Sequence, residues 1–421
     1  MRRFMLTLAG AGLVLSSAQA QQTRESATLP SGARWQAERP ANWNGTLLLW
    51  SRGYAMKAGE PEIAPANVRA ELLAAGYALA GSDYGSGGWA LEEAVPAQIG
   101  TVKAFAARYG RPRRVIGWGY SMGGLVTTAL AERKGARVID GGIAMCASIG
   151  GAVGMLNMGL DGAFAFRTLV APDAGIELVN IAQDDRANGK RAAEAVAEAG
   201  KTAQGRARMA LAGVLGGLPG WATRASPEPG ADDVDAQATE LASSIVMGLF
   251  MPRNDQEKRA GGAFSWNSGI DYQAQLARSG RRALVEALYK KAGLDLDADL
   301  ARLNAAPRIT ARPAAVRYMN ANYAPTARPR VPLLAVQAKG DGATSPSMQQ
   351  AYADAAPAAR FASLWLDQAG HCGFAAPQLL AALRHLEARL DSGRWPMPAA
   401  PFVPYRAPPM LRPCFRGTRC L

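Results

Sequence analysis

Histidine and cysteine are both scarce in this sequence. It has two histidines, His371 and His385, and four cysteines among 421 residues. No two cysteines are spaced as C-x-x-C, whereas structural zinc sites are usually built from such pairs together with histidines. We therefore expect no metal site. His385 lies between leucines in a helix-like segment, where a surface or packing role is expected, so His371 is the histidine available for chemistry.

Long hydrophobic runs are also missing. No stretch after residue 20 approaches the roughly 20 apolar residues that a membrane-spanning helix needs. Residues 5–15 are apolar but too few, and they stand between Arg2-Arg3 and the A-x-A cleavage pattern Ala18-Gln19-Ala20. We expect residues 1–20 to be a signal peptide that is removed after Ala20. The protein would then be secreted or periplasmic, without a transmembrane anchor.

Acidic residues are fewer than basic ones. The chain has 34 Asp and Glu against 47 Lys and Arg, a formal net charge of +13. Nucleic-acid-binding proteins concentrate their basic residues on one helix or stripe. Here the arginines are scattered, often in pairs such as Arg113-Arg114 and Arg281-Arg282. This pattern favours a solvated basic surface and no nucleic-acid partner, with a preference for anionic partners as the second interpretation.

Short apolar runs alternate with helix-like segments in the first 150 residues and again after residue 330. The strand-like runs are residues 33–38, 46–50, 77–80, 114–119, 137–146, 332–338 and 363–366. The helix-like segments among them include residues 68–75, 91–109 and 123–133. Alternating strands and helices predict an α/β fold with a mostly parallel central sheet and helices on both faces.

The pattern changes between these two parts. Five helix-like segments occur there with no convincing strand: residues 191–199, 205–215, 236–250, 281–292 and 297–303. An insertion of this length with its own helices is typical of a cap rather than of a loop. We expect a core made of residues 21–151 and 329–393, and a large all-helical cap, or lid, of residues 152–328. Residues 394–421 form a tail rich in proline and arginine, which we expect to be extended.

Residues 117–125, GWGYSMGGL, fit two unrelated chemistries. Gly117, Gly119 and Gly123 are spaced roughly as in a dinucleotide-binding turn. The same residues also fit a nucleophile elbow, a sharp strand-to-helix turn with Ser121 at its tip. A dinucleotide site needs an acidic residue at the end of the next strand, about twenty positions on. Asp140 has this spacing but precedes the most apolar part of its strand, so it lies near the wrong end.

A nucleophile elbow also needs a histidine to take the serine proton and a carboxylate to orient that histidine. The chain provides both in the order Ser, Asp, His. Asp341 follows the apolar run of residues 332–338, and His371 follows that of residues 363–366. The nucleophile elbow is therefore the favoured interpretation.

The motifs GYSMGG, GD with a short loop, and GHC, in this order, resemble the α/β-hydrolase superfamily. They are most similar to its exported bacterial serine esterase and lipase-like branch with a helical cap. The resemblance covers most of residues 30–150 and 330–392. It implies that Ser121 is the nucleophile, His371 the general base and acid, and Asp341 the orienting carboxylate. Asp367 is a rival acid, but it precedes His371 by only four residues in the same expected turn.

TLLLWSRGY resembles the strand and loop that supply one backbone donor of the oxyanion hole in that superfamily. The resemblance implies that the backbone N–H groups of Met122 and Tyr54 form this hole. Arg52 departs from the pattern, because a histidine commonly stands at its position. Tannase-like and feruloyl-esterase-like members also place a cysteine beside the catalytic histidine, but they pair it with a cysteine next to the serine, where this chain has Tyr120.

Four cysteines allow three pairings. Cys414 and Cys420 are close in sequence and have Gly417 between them, so they can pair without help from the fold. Cys146 ends a strand and Cys372 follows His371, so both should lie at the same end of the sheet. We expect disulfides Cys146–Cys372 and Cys414–Cys420; buried free thiols at Cys146 and Cys372 are the competing expectation.

The expected function is that of an exported serine carboxylic ester hydrolase that needs no cofactor and acts on a small-molecule or polymer ester. A serine peptidase or amidase of the same fold would use the same three residues. A non-catalytic binding protein on this scaffold and a nucleotide-dependent oxidoreductase are the remaining candidates. No protein partner is identifiable from the sequence.

Overall fold

A computed structural model describes residues 23–181 and 184–420. The expected signal peptide, residues 1–20, lies outside the described residues. The described strands are β1 (Thr23–Thr28), β2 (Arg34–Arg39), β3 (Thr46–Ser51), β4 (Ala78–Ser82), β5 (Arg114–Tyr120), β6 (Gly141–Met145), β7 (Leu333–Gly340), β8 (Phe361–Ala369) and β9 (Phe402–Val403). The described helices are α1 (Ala66–Ala74), α2 (Leu91–Tyr109), α3 (Met122–Glu132), α4 (Ala152–Leu169), α5 (Asp185–Ala199), α6 (Ala203–Leu215), α7 (Val234–Leu249), α8 (Asn254–Ala260), α9 (Tyr272–Arg278), α10 (Arg282–Ala292), α11 (Leu296–Ala305), α12 (Pro313–Tyr323), α13 (Pro346–Ala355) and α14 (Ala376–Ser392).

The strands form one sheet in the order β1-β2-β4-β3-β5-β6-β7-β8-β9. All pairings from β4 to β8 along this order are parallel, whereas β1, β2 and β9 pair antiparallel at the two sides. The mostly parallel sheet predicted from the sequence is therefore confirmed. Because β5 to β8 are parallel neighbours, the residues that follow them emerge at the same end of the sheet.

Helices cover both faces of the sheet, because its central strands present apolar side chains to both. In β3, Leu47 and Leu49 face a core shared with α2 and α3, whereas Leu48 and Trp50 face a second core shared with α1 and α14. Every residue of β3 is buried. A continuous apolar run of this kind is typical of a parallel strand covered by helices on both sides.

The chain between β6 and β7 is helical. In its described parts, residues 152–181 and 184–328, it contains α4 to α12 and no strand. These helices have an apolar core of their own, which includes Phe164, Leu211, Leu241 and Leu300. None of the described helices is long and apolar enough to cross a membrane.

The C-terminal tail is extended, but it is also an integral part of the packing. β9 pairs with β8 at Trp365 and Leu366. Further along, Arg412 is fully buried and donates to the carboxylate of Asp161 on α4 at 2.8 Å. Met410, Leu411, Cys414 and Phe415 belong to the core beside the sheet. Nothing in the tail's sequence indicated this burial.

Two predicted strand boundaries are wrong. β6 begins at Gly141 rather than at residue 137, because Asp140 pairs with Val115 through its own N–H and its carboxylate before the strand starts. Asp140 therefore lies at the amino end of β6. β8 continues to Ala369, so Asp367 belongs to the strand and not to the turn that precedes His371.

Candidate active site

Ser121 occupies a strained turn between β5 and α3. Its φ is 56° and its ψ is −122°, a region that side-chain-bearing residues rarely adopt and that costs on the order of 1–3 kcal/mol. The turn is held in place by its backbone. The N–H of Ser121 donates to the carbonyl of Met145 at 3.1 Å, and its carbonyl accepts from the N–H of Gly124 at 3.0 Å. This conformation projects the serine from the end of β5.

The flanking glycines are sterically required. A Cβ on Gly119 would lie 2.4 Å from the carbonyl oxygen of Gly123, and a Cβ on Gly123 would lie 1.9 Å from the carbonyl oxygen of Ser51. Neither approach is possible for a real side chain, so the turn closes directly against the end of β3. Because Asp140 lies at the other end of β6, this geometry does not fit a dinucleotide-binding turn, and it agrees with the sharp strand-to-helix turn predicted at Ser121.

The structure brings Asp341 and His371 together. Asp341 directly follows β7, is fully buried, and accepts the backbone N–H groups of Ala343 and Thr344 on Oδ1, both at 2.9 Å. Nδ1 of His371 lies 3.0 Å from Oδ1 and 2.9 Å from Oδ2 of the same carboxylate. A carboxylate that accepts Nδ1–H leaves Nε2 as the basic nitrogen of the neutral ring.

The environment of His371 raises its pKa. Burial of the ring acts in the opposite direction, because it disfavours the charged imidazolium, but the charge of Asp341 and its hydrogen bond outweigh this effect. The pKa of His371 therefore lies above its ordinary value of 6.5. A base with a raised pKa binds a proton more strongly during turnover but needs a higher pH to be neutral at rest.

In the described part of the chain, no hydrogen bond joins the hydroxyl of Ser121 to His371. Nε2 of His371 lies instead 3.3 Å from Sγ of Cys372. A disulfide sulfur carries no proton, so this contact blocks no donor to Nε2. Hydrogen bonds between catalytic groups are often long without substrate and shorten in the complex.

The disulfide Cys146–Cys372 is present, with its Cα atoms 5.4 Å apart, and so is Cys414–Cys420, with its Cα atoms 4.4 Å apart. The first bond joins the loop after β8 to the end of β6, the strand next to β5. Cys146 and Cys372 both have positive φ, 42° and 55°. Cys146, His371 and Cys372 also have metal-ligating atoms within 4.8 Å of one another. Because the two sulfurs are bonded to each other, neither is a thiolate, and the cluster does not fit a metal ion.

The loop after β3 lies against the Ser121 turn. A Cβ on Gly53 would be 3.6 Å from Cβ of Ser121. Arg52 is buried, and its guanidinium donates to the carbonyls of Gly53 at 3.0 Å, Asp83 at 3.0 Å and Ser86 at 2.5 Å. The arginine that departs from the superfamily pattern thus holds this loop in shape.

The assignment of the oxyanion hole stays a prediction. Met122 is the first residue of α3, and the first N–H groups of a helix have no acceptor inside it. Tyr54 follows Gly53 in the loop that packs against Ser121, and its ring lies 5.9 Å from that of Trp89. Both backbone N–H groups belong to segments that flank the serine.

A contact between the cap and the His371 loop was not predicted from the sequence. The loop between α6 and α7, residues 216–233, is anchored by Glu240, which accepts the N–H groups of Ala222 at 2.8 Å and Thr223 at 2.7 Å. Arg224 then donates to the carbonyl of Gly373, two residues after His371. No local pattern could have revealed this contact, because it joins residues 149 positions apart in the chain.

Asp367 and His385 are the residues that competed with Asp341 and His371 in the sequence, and their contacts indicate structural roles. Asp367 is exposed, and its carboxylate pairs with Nζ of Lys339 at 2.9 Å. His385 is buried on α14 and stacks on Trp395 with ring centroids 5.9 Å apart, and burial lowers its pKa. In the described chain neither residue is hydrogen-bonded to His371 or Ser121.

Comparison with known proteins gave no matching family model. The chain is 29% identical over 408 residues to an o-phthalyl amidase of Xanthobacter agilis, a match that covers 89% of this chain and 88% of that protein. Similar solved structures include feruloyl esterase B of Aspergillus oryzae, at 13% identity and a TM-score of 0.42 over 89% of this chain and 82% of that one. Lipase A of Candida antarctica has 16% identity and a TM-score of 0.40 over 92% of this chain and 81% of that one.

The strand order of the sheet, with its antiparallel second strand, agrees with the fold that the sequence motifs implied. Ser121 lies in a strained turn after β5, and Asp341 and His371 follow β7 and β8. The chain therefore has the α/β-hydrolase fold that the motifs implied.

Proposed function

We propose that the protein is an exported serine hydrolase that cleaves carboxylic esters through an acyl-enzyme on Ser121. The observation that carries the proposal is the strained turn of Ser121 at the same end of the sheet as the hydrogen-bonded pair of Asp341 and His371. A serine, an orienting carboxylate and a histidine at three strand ends, in this order, are the arrangement with which the α/β-hydrolase fold performs nucleophilic acyl transfer.

In the proposed reaction, Nε2 of His371 accepts the proton of the Ser121 hydroxyl as its oxygen attacks the ester carbonyl. Asp341 holds Nδ1 and stabilises the imidazolium. The backbone N–H groups of Met122 and Tyr54 donate to the oxyanion, and His371 then protonates the leaving alcohol. Water then attacks the acyl-enzyme while His371 takes one of its protons. His371 returns this proton to the oxygen of Ser121, which releases the acid and restores the serine.

An amidase is the second candidate. The relative from Xanthobacter agilis is an o-phthalyl amidase by name and matches most of both chains. The same three residues can cleave an amide when the leaving amine is protonated by His371. The two candidates differ only in the bond that the binding site presents to Ser121.

Paired substrates separate the two candidates. We expect p-nitrophenyl esters of graded acyl length to be hydrolysed, and a phthalyl amide and aminoacyl p-nitroanilides serve as the amide tests. A kcat/KM for an amide equal to or above that for every ester would favour the amidase. No turnover of either class by the pure wild-type protein would contradict both.

Two substitutions test the proposed residues. Ser121→Ala and His371→Ala should each abolish turnover with the fold retained, and the double variant should be scarcely slower than either, because such residues act as a unit. His385→Gln, in the other histidine of the chain, is the control and should retain activity. A serine-reactive phosphonate should label Ser121, and a stable adduct on another residue would overturn the assignment.

We further propose that residues 152–328 act as the cap that governs substrate choice and that the protein is exported. The contact of Arg224 with the His371 loop supports the role of the cap, and exchange of cap segments with a relative should change acyl-chain preference. An unchanged preference would contradict this role.

The pattern Ala18-Gln19-Ala20 supports export, and amino-terminal sequencing of the mature protein should begin at Gln21. An intact leader on exported protein would contradict cleavage after Ala20.

A further inference from the structure

A cavity of about 310 Å³ lies beside the end of β7. Its wall includes parts of the α6–α7 loop with Trp221, the start of α10 with Arg281, the end of β7 with Lys339, and the C-terminal tail with Tyr405. Its lining includes none of the three residues of the proposed active site. The cavity is therefore a feature of the molecule that acyl transfer does not explain.

Arg281 carries a charge in this cavity that the protein does not neutralise. Its Nη1 donates to the carbonyl of Leu218 at 2.6 Å, while its Nη2 is buried and has no hydrogen-bond partner. Within the described residues, Arg281 forms no ion pair. The next residue differs, because Arg282 pairs with Glu286 at 2.6 Å and Asp297 at 3.2 Å.

Burial lowers the pKa of Arg281 to about 10, so the guanidinium remains protonated at neutral pH. A buried charge without a counter-charge is costly, and an anion bound beside it would remove much of that cost. The α6–α7 loop and the start of α10 keep the arginine in place despite this cost.

The other charged groups of the cavity wall form ion pairs. Lys339 places Nζ 2.6 Å from Glu228 and 2.9 Å from Asp367. These three groups together carry a net charge of −1, so they add no free positive charge, and Arg281 is the cation of the described cavity wall that has no ion pair. Since Glu228 is held by Lys339, it does not serve as the counter-ion of Arg281.

The remaining wall is largely apolar and aromatic. Trp221, Tyr405, Pro408 and Leu411 contribute to it. Ligand pockets commonly have volumes of roughly 300–1,000 Å³, so a cavity of this size suits a ligand with a single ring. Such a ligand would place its ring against the apolar wall and its acidic group on the guanidinium.

We propose that this cavity is a binding site for a small aromatic carboxylate, separate from the active site, in which the carboxylate pairs with Arg281. An arginine fork matches the two oxygens of a carboxylate, and the charge-assisted hydrogen bonds are about twice as strong as neutral ones. The proposal does not rest on the proposed function, because none of its residues takes part in acyl transfer.

Benzoate and its neutral counterpart benzamide test this site by isothermal titration calorimetry. We expect wild-type protein to bind benzoate at least about tenfold more tightly than benzamide, because only benzoate carries the charge. Arg281→Gln should weaken benzoate at least about tenfold and leave benzamide unchanged. Arg282→Gln is the matched control and should bind benzoate as the wild type does. Equal benzoate affinity in the Arg281 and Arg282 variants, or no binding to the wild type, would refute the site.

Two measurements on wild-type protein avoid any effect of substitution on folding. Benzoate should slow the modification of Arg281 by phenylglyoxal, followed by peptide mass spectrometry, without slowing that of Arg282. Protein phosphonylated on Ser121 should bind benzoate with unchanged affinity. Equal modification rates with and without benzoate, or loss of binding after phosphonylation, would show that the anion binds elsewhere and would overturn the proposal.

Discussion

Replacing Asp341 with asparagine should disable His371 while changing the shape of the site very little. In the wild type, Oδ1 of Asp341 accepts two backbone N–H groups at 2.9 Å, and Oδ2 lies 2.9 Å from Nδ1 of His371. An asparagine keeps the two backbone bonds only if its oxygen takes the Oδ1 position. Its NH₂ group then faces Nδ1 of His371 as a donor.

The consequence is a change of tautomer. Nδ1 must now accept a hydrogen bond, so the proton of the neutral ring moves to Nε2, which can no longer take the proton of Ser121. In a serine protease, the same exchange lowers kcat by about 10⁴ with the geometry intact. We expect Asp341→Asn to lower kcat here by a similar factor, roughly 5–6 kcal/mol in activation free energy at 1.36 kcal/mol per tenfold.

Asp367→Asn is the matched comparison, because it makes the same chemical change on the neighbouring strand. Asp367 is exposed, and its partner Lys339 keeps a second carboxylate in Glu228. Exposed ion pairs contribute about 0–1 kcal/mol to stability, so the variant should stay folded. Because the carboxylate of Asp367 pairs with Lys339 and not with His371, kcat should change less than about fivefold. Both variants would be assayed with a p-nitrophenyl ester at saturating concentration. A larger loss for Asp367→Asn would identify Asp367 as the orienting acid and refute the tautomer argument.

Three further outcomes follow from the geometry. The kcat/KM of the wild type should fall as the pH drops, with an inflection above pH 6.5. His371 must be neutral to act as a base, and its pKa is raised. An inflection below pH 6.5 would contradict this. Gly123→Ala should lower the free energy of unfolding, measured in urea, by about 1–3 kcal/mol or more, because its Cβ would lie 1.9 Å from the carbonyl oxygen of Ser51. A variant as stable as the wild type would contradict this close contact between Gly123 and Ser51. Arg412→Met should cost about 3–5 kcal/mol in free energy of unfolding, because it leaves the buried carboxylate of Asp161 without its counter-charge. Adding Asp161→Leu should restore most of that loss, and a double variant no more stable than Arg412→Met would contradict this.

The core of the fold was predictable because its signals are local. The bounds of α2 follow from helical spacing between a tryptophan-containing turn and Gly110, and β3 is an apolar run with glycines on both sides. The order of Ser121, Asp341 and His371 could be read because each follows a strand, and parallel strands deliver such residues to one end of the sheet.

The cap was less predictable, because its central helix lacks the expected pattern. Sixteen of the 18 residues of α4 are buried, so the helix shows no polar face from which its period could be read. Its glycines serve close packing, as a Cβ on Gly162 would lie 2.7 Å from the carbonyl of Ala212. The burial of the tail was equally hidden, since it depends on partners such as Asp161 that lie about 250 positions away.

The position of His371 depends on long-range restraints. His371 lies in the loop after β8, where the carbonyl of Gly373 accepts from Nε2 of Gln368 at 3.2 Å. The loop is also tied to β6 by the disulfide of Cys372 and to the cap by Arg224 at Gly373. Because one of these ties comes from the cap, a displacement of the α6–α7 loop would also move the His371 loop. Under our proposal that the cap governs substrate choice, substrate binding would therefore affect the placement of His371.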